Sequence, residues 1–175
     1  SINKGLSGLA TSLNGITAAG MEPVGAYATN QDFKAGKGYT IKNVQGIRIA
    51  FVAFTKGMDG MALPVGSENC VNVLYTDYDS AYQVVDTQKI SSIINAAKKE
   101  KPDILVAQLH WGSEFNDVIS ESQEDIAAMM KKRGVDVIIG GHPHVVQPIE
   151  LVPSAEHPTH HAIVYSLGNY VSNMS

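Results

Sequence analysis

The stretch "VDVIIGGHPHVVQPIE", residues 135–150, indicates the fold class of this chain. The apolar, β-branched run at residues 135–139 is typical of a short strand covered on both faces by other layers. Gly140 and Gly141 end that run, and glycine permits either close backbone approach or a positive φ. We therefore predict a buried strand of a layered α/β protein that ends in a tight, chemically specialised turn.

Two histidines follow the glycines and are separated by one proline. Pro143 fixes its own φ near about −65° and favours an extended conformation for His142. In an extended segment residues i and i+2 face the same side, so we expect His142 and His144 to converge on one point. This geometry suits a metal or phosphate site. The alternative is an exposed turn without a ligand.

The segments around this stretch predict alternating strands and helices. A strand, helix, strand, helix, strand order from residue 71 to residue 140 is typical of α/β layering. Strand pairs near both ends of the chain predict that part of the sheet is antiparallel. The predicted segments are a helix before Gly20, strands at 23–26, 39–42, 47–54, 71–75, 103–111, 135–141, 148–152 and 161–171, a turn at 43–46, helices at 87–100 and 122–134, and a long loop at 55–70.

Composition limits the classes of function. A chain of 175 residues with 44% hydrophobic content is long enough for one globular domain with a real core. The formal net charge of −4, without a long basic block, argues against a nucleic-acid partner. Cys70 is the only cysteine, so no intrachain disulfide can form, and we interpret it as a small buried residue. No apolar run approaches the roughly 18–20 residues of a membrane span.

Three predicted strands end in polar residues that could form one site. His110 ends the strand at 103–111, His142 and His144 follow the strand at 135–141, and Asn169 lies in the last strand. Ligands of open α/β sheets bind beyond the carboxyl ends of the strands, so we expect the three histidines to share a cleft. Imidazole suits Zn, Fe or Mn. For His110 alone the alternative is a structural, hydrogen-bonded histidine, and Asn169 is interpreted as a turn residue.

Other candidate residues carry weaker signals. Glu114 follows His110 by four residues and could orient an imidazole or act as a substrate-binding acid, although a solvated loop carboxylate is the alternative. Residues 156–161, "EHPTHH", contain His157, His160 and His161, which we interpret as a polar loop between strands. Ser166 lacks the flanking glycines of a nucleophile elbow, which argues against a serine hydrolase.

Three motifs, in order, carry a family resemblance. "LHWGSEF" (109–115), "GVDVIIGGHPHVVQPIE" (134–150) and "IVYSLGNYV" (163–171) together resemble the CapA family of bacterial poly-gamma-glutamate capsule synthesis proteins. This family is a branch of the calcineurin-like metallophosphoesterase superfamily. A weaker similarity at residues 5–27 extends the match across nearly the whole chain.

The resemblance implies a fold, a ligand set and cofactors. The fold would be a four-layer αββα sandwich of two mixed sheets flanked by helices. His110 would correspond to the lone ligand histidine, and His142 and His144 to the two histidines of the terminal G-H-x-H motif. In the superfamily these residues help to hold two divalent ions, such as Mn, Fe or Zn, that activate water against a phosphoester.

The remaining ligands of the family would lie before residue 1. We therefore expect residues 1–175 to be a single domain, the C-terminal portion of a CapA-like domain, that carries about half of a metal site and is inactive by itself. The intact protein would be a membrane-associated cell-surface protein of capsule biosynthesis, with any membrane anchor upstream. It would act with the synthesis machinery on an anionic polymer or a phosphoester. The alternative is a non-catalytic module that binds an anionic polymer or assists its export.

Overall fold

The computed structural model describes residues 4–153 and 161–172. These residues form a mixed six-stranded sheet flanked by helices, which confirms the predicted α/β class. The elements are α1 (Gly5–Ala18), α2 (Asn30–Gly36), β1 (Tyr39–Val44), β2 (Ile47–Thr55), α3 (Thr87–Lys99), β3 (Ile104–His110), α4 (Glu121–Lys132), β4 (Val137–Gly141), β5 (Ile149–Val152) and β6 (His161–Val164).

The strand order β1-β2-β3-β4-β6-β5 brings the functional strand ends to one edge. The four central strands are parallel, and β1 and β5 are antiparallel edge strands. All strands named above belong to this one sheet, so the second sheet of the implied sandwich is not formed by residues 4–153 and 161–172. The parallel arrangement places the carboxyl ends of β2, β3 and β4 side by side.

Two well-capped helices cover the central strands. Asp86 accepts a hydrogen bond from Lys89 N at the start of α3, and Ser120 forms a reciprocal capping box with Gln123 at the start of α4. The apolar faces of both helices are buried in the same core as the central strands. Their periodic apolar residues therefore predict the helix positions correctly.

Two predicted strands are reduced to isolated bridges. Residues 71–75 form single bridges to Ala26, Thr55 and Val85, and residues 23–26 pair only through Ala26. The segment 71–75 divides its backbone hydrogen bonds among three neighbouring chain segments, so no continuous ladder forms. The last predicted strand is also shorter, because β6 ends at Val164 instead of continuing to residue 171.

Candidate metal centre

A cleft of about 460 Å³ lies at the carboxyl edge of the parallel strands. It contains the four side chains predicted from the sequence: His110, Glu114, His142 and His144. Strand register accounts for part of this arrangement, since Thr55 pairs with His110 and His110 pairs with Gly141 across β2, β3 and β4. The remaining wall residues are Leu9, Ala26, Thr55, Gly57, Met58, Asp59 and Val71.

The three imidazoles lie close together. The ring centroids of His110 and His142 are 4.3 Å apart, with a tilt of 40° between the rings. The ring centroids of His142 and His144 are 6.4 Å apart. The structure thus brings the last residue of β3 to the turn after β4.

The histidine turn is not extended, and that prediction from Pro143 was wrong. His142 has a φ of 97° and His144 a φ of 62°, both in the region that disfavours side chains with a Cβ. Tertiary hydrogen bonds hold the turn, because Trp111 N donates to Gly141 O and Phe115 N donates to the Pro143 carbonyl. Such conformations cost on the order of 1–3 kcal/mol each and cluster at functional sites.

Position 140 requires glycine because a hydrogen-bonded pair of groups lies against its backbone beneath this turn. The buried Trp111 donates from Nε1 to the Tyr165 carbonyl at 2.8 Å, and the two rings stack with centroids 5.8 Å apart. A Cβ on Gly140 would overlap both partners of this hydrogen bond, whereas a Cβ on Gly141 would meet nothing within 4 Å. The absence of a side chain at Gly140 therefore lets Trp111 reach across β4 to Tyr165. Nothing near Gly141 requires a glycine for steric reasons.

His144 is oriented by Asn169, a residue that the sequence analysis interpreted only as part of a turn. Its Nδ1 lies 2.8 Å from Asn169 Oδ1, and because an amide oxygen only accepts, Nδ1 carries the donated hydrogen. In the neutral ring Nε2 then keeps its lone pair, and it lies 3.9 Å from Glu114 Oε1. The Phe115 ring stacks on the imidazole at 5.6 Å. Asn169 thus selects the tautomer that suits a nitrogen ligand.

Two of the imidazoles are held in the neutral form. Burial, followed by the nearby His142, lowers the pKa of His110 from 6.5 to about 4. Burial, followed by the charge of Lys56, also lowers the pKa of His142. Since a metal binds only the unprotonated imidazole, both rings have a lone pair available at neutral pH.

Asp59 lines this cleft, and Lys56 lines a neighbouring cavity that also contains His110 and His142; neither residue was predicted. Both come from the loop that follows β2, and Asp59 lines the cavity with a φ of 55°. Lys56 is the first residue after β2, so its position at a strand's carboxyl end was the available signal.

The other candidates lie away from the cleft or outside the described residues. His161 begins β6, at the opposite end of the sheet, and its Nδ1 donates to the Val135 carbonyl at 2.8 Å. His157 and His160 lie outside the described residues. Cys70 is buried, which confirms its interpretation as a core residue, and Ser166 is also buried.

The donor chemistry fits a divalent transition ion, but the number of converging donors is incomplete. Imidazole nitrogens with one carboxylate are suitable ligands for Zn, Fe or Mn. Within residues 4–153 and 161–172, however, no group of three or more His, Cys, Asp or Glu side chains is arranged to hold one ion. The cleft instead offers two pairs, His110 with His142 and His144 with Glu114.

Comparison with known proteins identifies the family. The family model described as "Bacterial capsule synthesis protein PGA_cap" matches residues 1–174. The chain belongs to this family. It is 32% identical to PGA biosynthesis protein CapA of Bacillus subtilis (strain 168) over 95% of this chain and 39% of that protein. It is 29% identical to capsule biosynthesis protein CapA of Bacillus anthracis over 95% of this chain and 36% of that protein.

Membership of the capsule synthesis family agrees with the resemblance drawn from the three motifs. The chain spans less than two fifths of the length of these two CapA relatives. In the part of the chain that the structure describes, none of the helices combines the length and the apolar character needed to cross a bilayer.

Proposed function

We propose that this chain contributes part of a divalent-metal site to a capsule biosynthesis protein that hydrolyses a phosphoester. The supporting observation is the grouping of His110, His142 and His144 with Glu114 in one cleft at the carboxyl edge of the sheet. Family membership supports the role in capsule biosynthesis. A bound divalent ion would supply a water with its pKa lowered to about 7 and would neutralise developing negative charge.

Each residue of the cleft has a defined part in this proposal. His110 and His142 would bind the ion through neutral imidazoles, and His144 would bind through Nε2 because Asn169 holds its Nδ1–H. Glu114 would supply a carboxylate, either to the ion or to a proton on the ligand, and Asp59 lines the same cleft. Further ligands would come from water or from outside the described residues.

A non-catalytic module that binds an anionic polymer, or assists its export, is the second candidate. It is favoured by the lack of three converging ligands within residues 4–153 and 161–172. In either role we propose that the whole protein works at the cell surface with other components of capsule synthesis, since the two relatives are named as a PGA biosynthesis protein and a capsule biosynthesis protein.

Calorimetric titration of Mn or Zn into the chain tests the metal site. We expect weak binding of about one ion, because two dications held mainly by neutral ligands would repel each other. The His142→Ala, His144→Ala double variant should lose this binding. The matched control is His161→Ala, which removes a histidine at the amino ends of the parallel strands and should retain metal binding.

Equal affinity in the parent chain and the double variant would refute the metal site. Catalysis is tested separately by assaying the whole protein for hydrolysis of an activated phosphodiester with added Mn. Metal binding without any hydrolysis would favour the binding module over the hydrolase.

A further inference from the structure

Lys56 presents a fixed positive charge beside the histidine pair. Its backbone N–H donates to the His110 carbonyl at 2.7 Å, which ties the residue to the end of β3. Its side chain is partly buried and lines a cavity of about 320 Å³ together with His110, His142 and the carboxylates Asp59 and Glu114. Lys56 therefore borders the same cavity as the two imidazoles.

Two contacts hold the ammonium group in place. Nζ donates a hydrogen bond to the Gly112 carbonyl at 2.7 Å and lies 4.9 Å from the centroid of the Tyr82 ring. The Tyr82 ring comes this close because Gly57 has no Cβ, which would otherwise clash with it. A long, flexible side chain is thus immobilised before any ligand binds, and such preorganisation favours recognition.

The charge of Lys56 is not balanced by a close carboxylate. Within residues 4–153 and 161–172 no Asp or Glu oxygen forms an ion pair with Lys56 Nζ; Glu114 acts on it only at longer range. The ammonium group has three hydrogens, and Gly112 accepts one. A partly buried cation is costly unless it meets a negative partner.

We propose that Lys56 is an anion-positioning residue that binds a phosphoryl oxygen of the ligand against the His110–His142 pair. The inference rests on the proposed phosphoester ligand but does not require the metal. A tetrahedral phosphate presents several oxygens, so one can accept from Nζ while another accepts from the single N–H of a neutral imidazole in this pair, whose ring centroids are 4.3 Å apart. A carboxylate has only two oxygens and cannot span the site as well.

Titration of inorganic phosphate into the full chain with a chelator present tests this role. Lys56→Met keeps an unbranched side chain beside Tyr82 but removes the charge, so phosphate affinity should fall by about tenfold or more. Lys56→Arg keeps the charge and should restore most of the affinity. A purely structural link to Gly112 would lower the unfolding free energy of Lys56→Met without reducing the salt dependence of phosphate binding, whereas loss of a charge contact reduces that dependence.

Lys89 supplies the matched control. Its Nζ also lies over an aromatic ring, 5.8 Å from the Phe33 centroid, and donates to the Glu68 and Val71 carbonyls beside a different cavity. Lys89→Met should leave phosphate affinity unchanged. Acetate, which has a single carboxylate, should bind more weakly than phosphate at equal ionic strength.

The NMR signals of the lysine Cε carbons provide a test in the protein without any substitution. Phosphate should shift the resonance that is missing from Lys56→Arg, and this observation does not depend on the folding of Lys56→Met. No phosphate binding by the parent chain, equal binding by Lys56→Met, or equal or tighter binding of acetate would overturn the proposal. Because the chelator removes metal, failure of the metal titration and failure of this experiment are distinguishable.

Discussion

The Nδ1–H of His144 donates to Asn169 Oδ1 across 2.8 Å, joining the turn after β4 to the segment after β6. This hydrogen bond directs Nε2 of the ring towards the cleft and Glu114. Residues that orient metal-ligating histidines are worth about 10- to 100-fold in metal affinity. The pair therefore gives a direct test of whether His144 acts as a ligand.

Asn169→Ala should weaken Mn or Zn binding by about tenfold or more, since the His144 ring loses its selected tautomer. The measurement is calorimetric titration of the metal. Asn95→Ala removes an exposed asparagine from α3 and should leave affinity unchanged. Unaltered metal affinity in Asn169→Ala would mean that this hydrogen bond serves only the fold.

Gly140→Ala should destabilise the fold by about 3 kcal/mol or more. The new methyl group would overlap the Tyr165 carbonyl and Trp111 Nε1, so it would both overpack the core and break their hydrogen bond. Gly141→Ala is the matched control and should change stability by less than about 0.5 kcal/mol, because its Cβ meets nothing within 4 Å. Urea unfolding measures both, and similar losses in the two variants would contradict the packing argument.

Gln147→Leu should cost about 2 kcal/mol or more and loosen the loop that carries Glu114. The buried Gln147 accepts from Gln123 Nε2 at 2.8 Å and donates from Nε2 to the Asn116 carbonyl at 2.9 Å. Leucine would leave these buried groups without a partner. Urea unfolding gives the loss of stability, and hydrogen exchange at Phe115 N–H reports the loop.

The control for the buried glutamine is Gln88→Leu, which changes an exposed position on α3. It should leave both the unfolding free energy and the exchange rate at Phe115 close to those of the parent chain. If Gln147→Leu gave the same unfolding free energy and exchange rate as Gln88→Leu, the hydrogen-bonded pair of Gln123 and Gln147 would have no role in holding the loop.

The metal-free protein should lose stability as the pH falls from about 6.5 towards about 4. His110 has its folded-state pKa lowered from 6.5 to about 4, chiefly by burial, so in this window the unfolded chain binds a proton that the folded chain does not. The contribution of neutral His110 to the free energy of unfolding is therefore complete above about pH 6.5 and decreases as the pH falls below that value. Urea unfolding over this range in chelator should show a shallower pH dependence for His110→Asn than for the parent chain. Parallel profiles would contradict the lowered pKa.

Much of the fold was predictable because its signals are local. Apolar periodicity and capping residues such as Asp86 and Ser120 locate α3 and α4, and short β-branched runs locate β3 and β4. The parallel order then places His110 and the histidine turn at one edge of the sheet. The sequence by itself therefore determined the α/β class and the four residues expected in the cleft.

Only the tertiary structure decided how the cleft is completed. The hydrogen bond from Lys56 to Gly112 joins residues 56 positions apart in the sequence, and the one from Trp111 to Tyr165 joins residues 54 positions apart. Neither contact leaves a pattern in the sequence around its own residues. The positive φ of His142 likewise overrides the local preference set by Pro143. Hydrogen bonds to distant backbone groups hold these conformations, and their free energy depends on packing that a local sequence window does not contain.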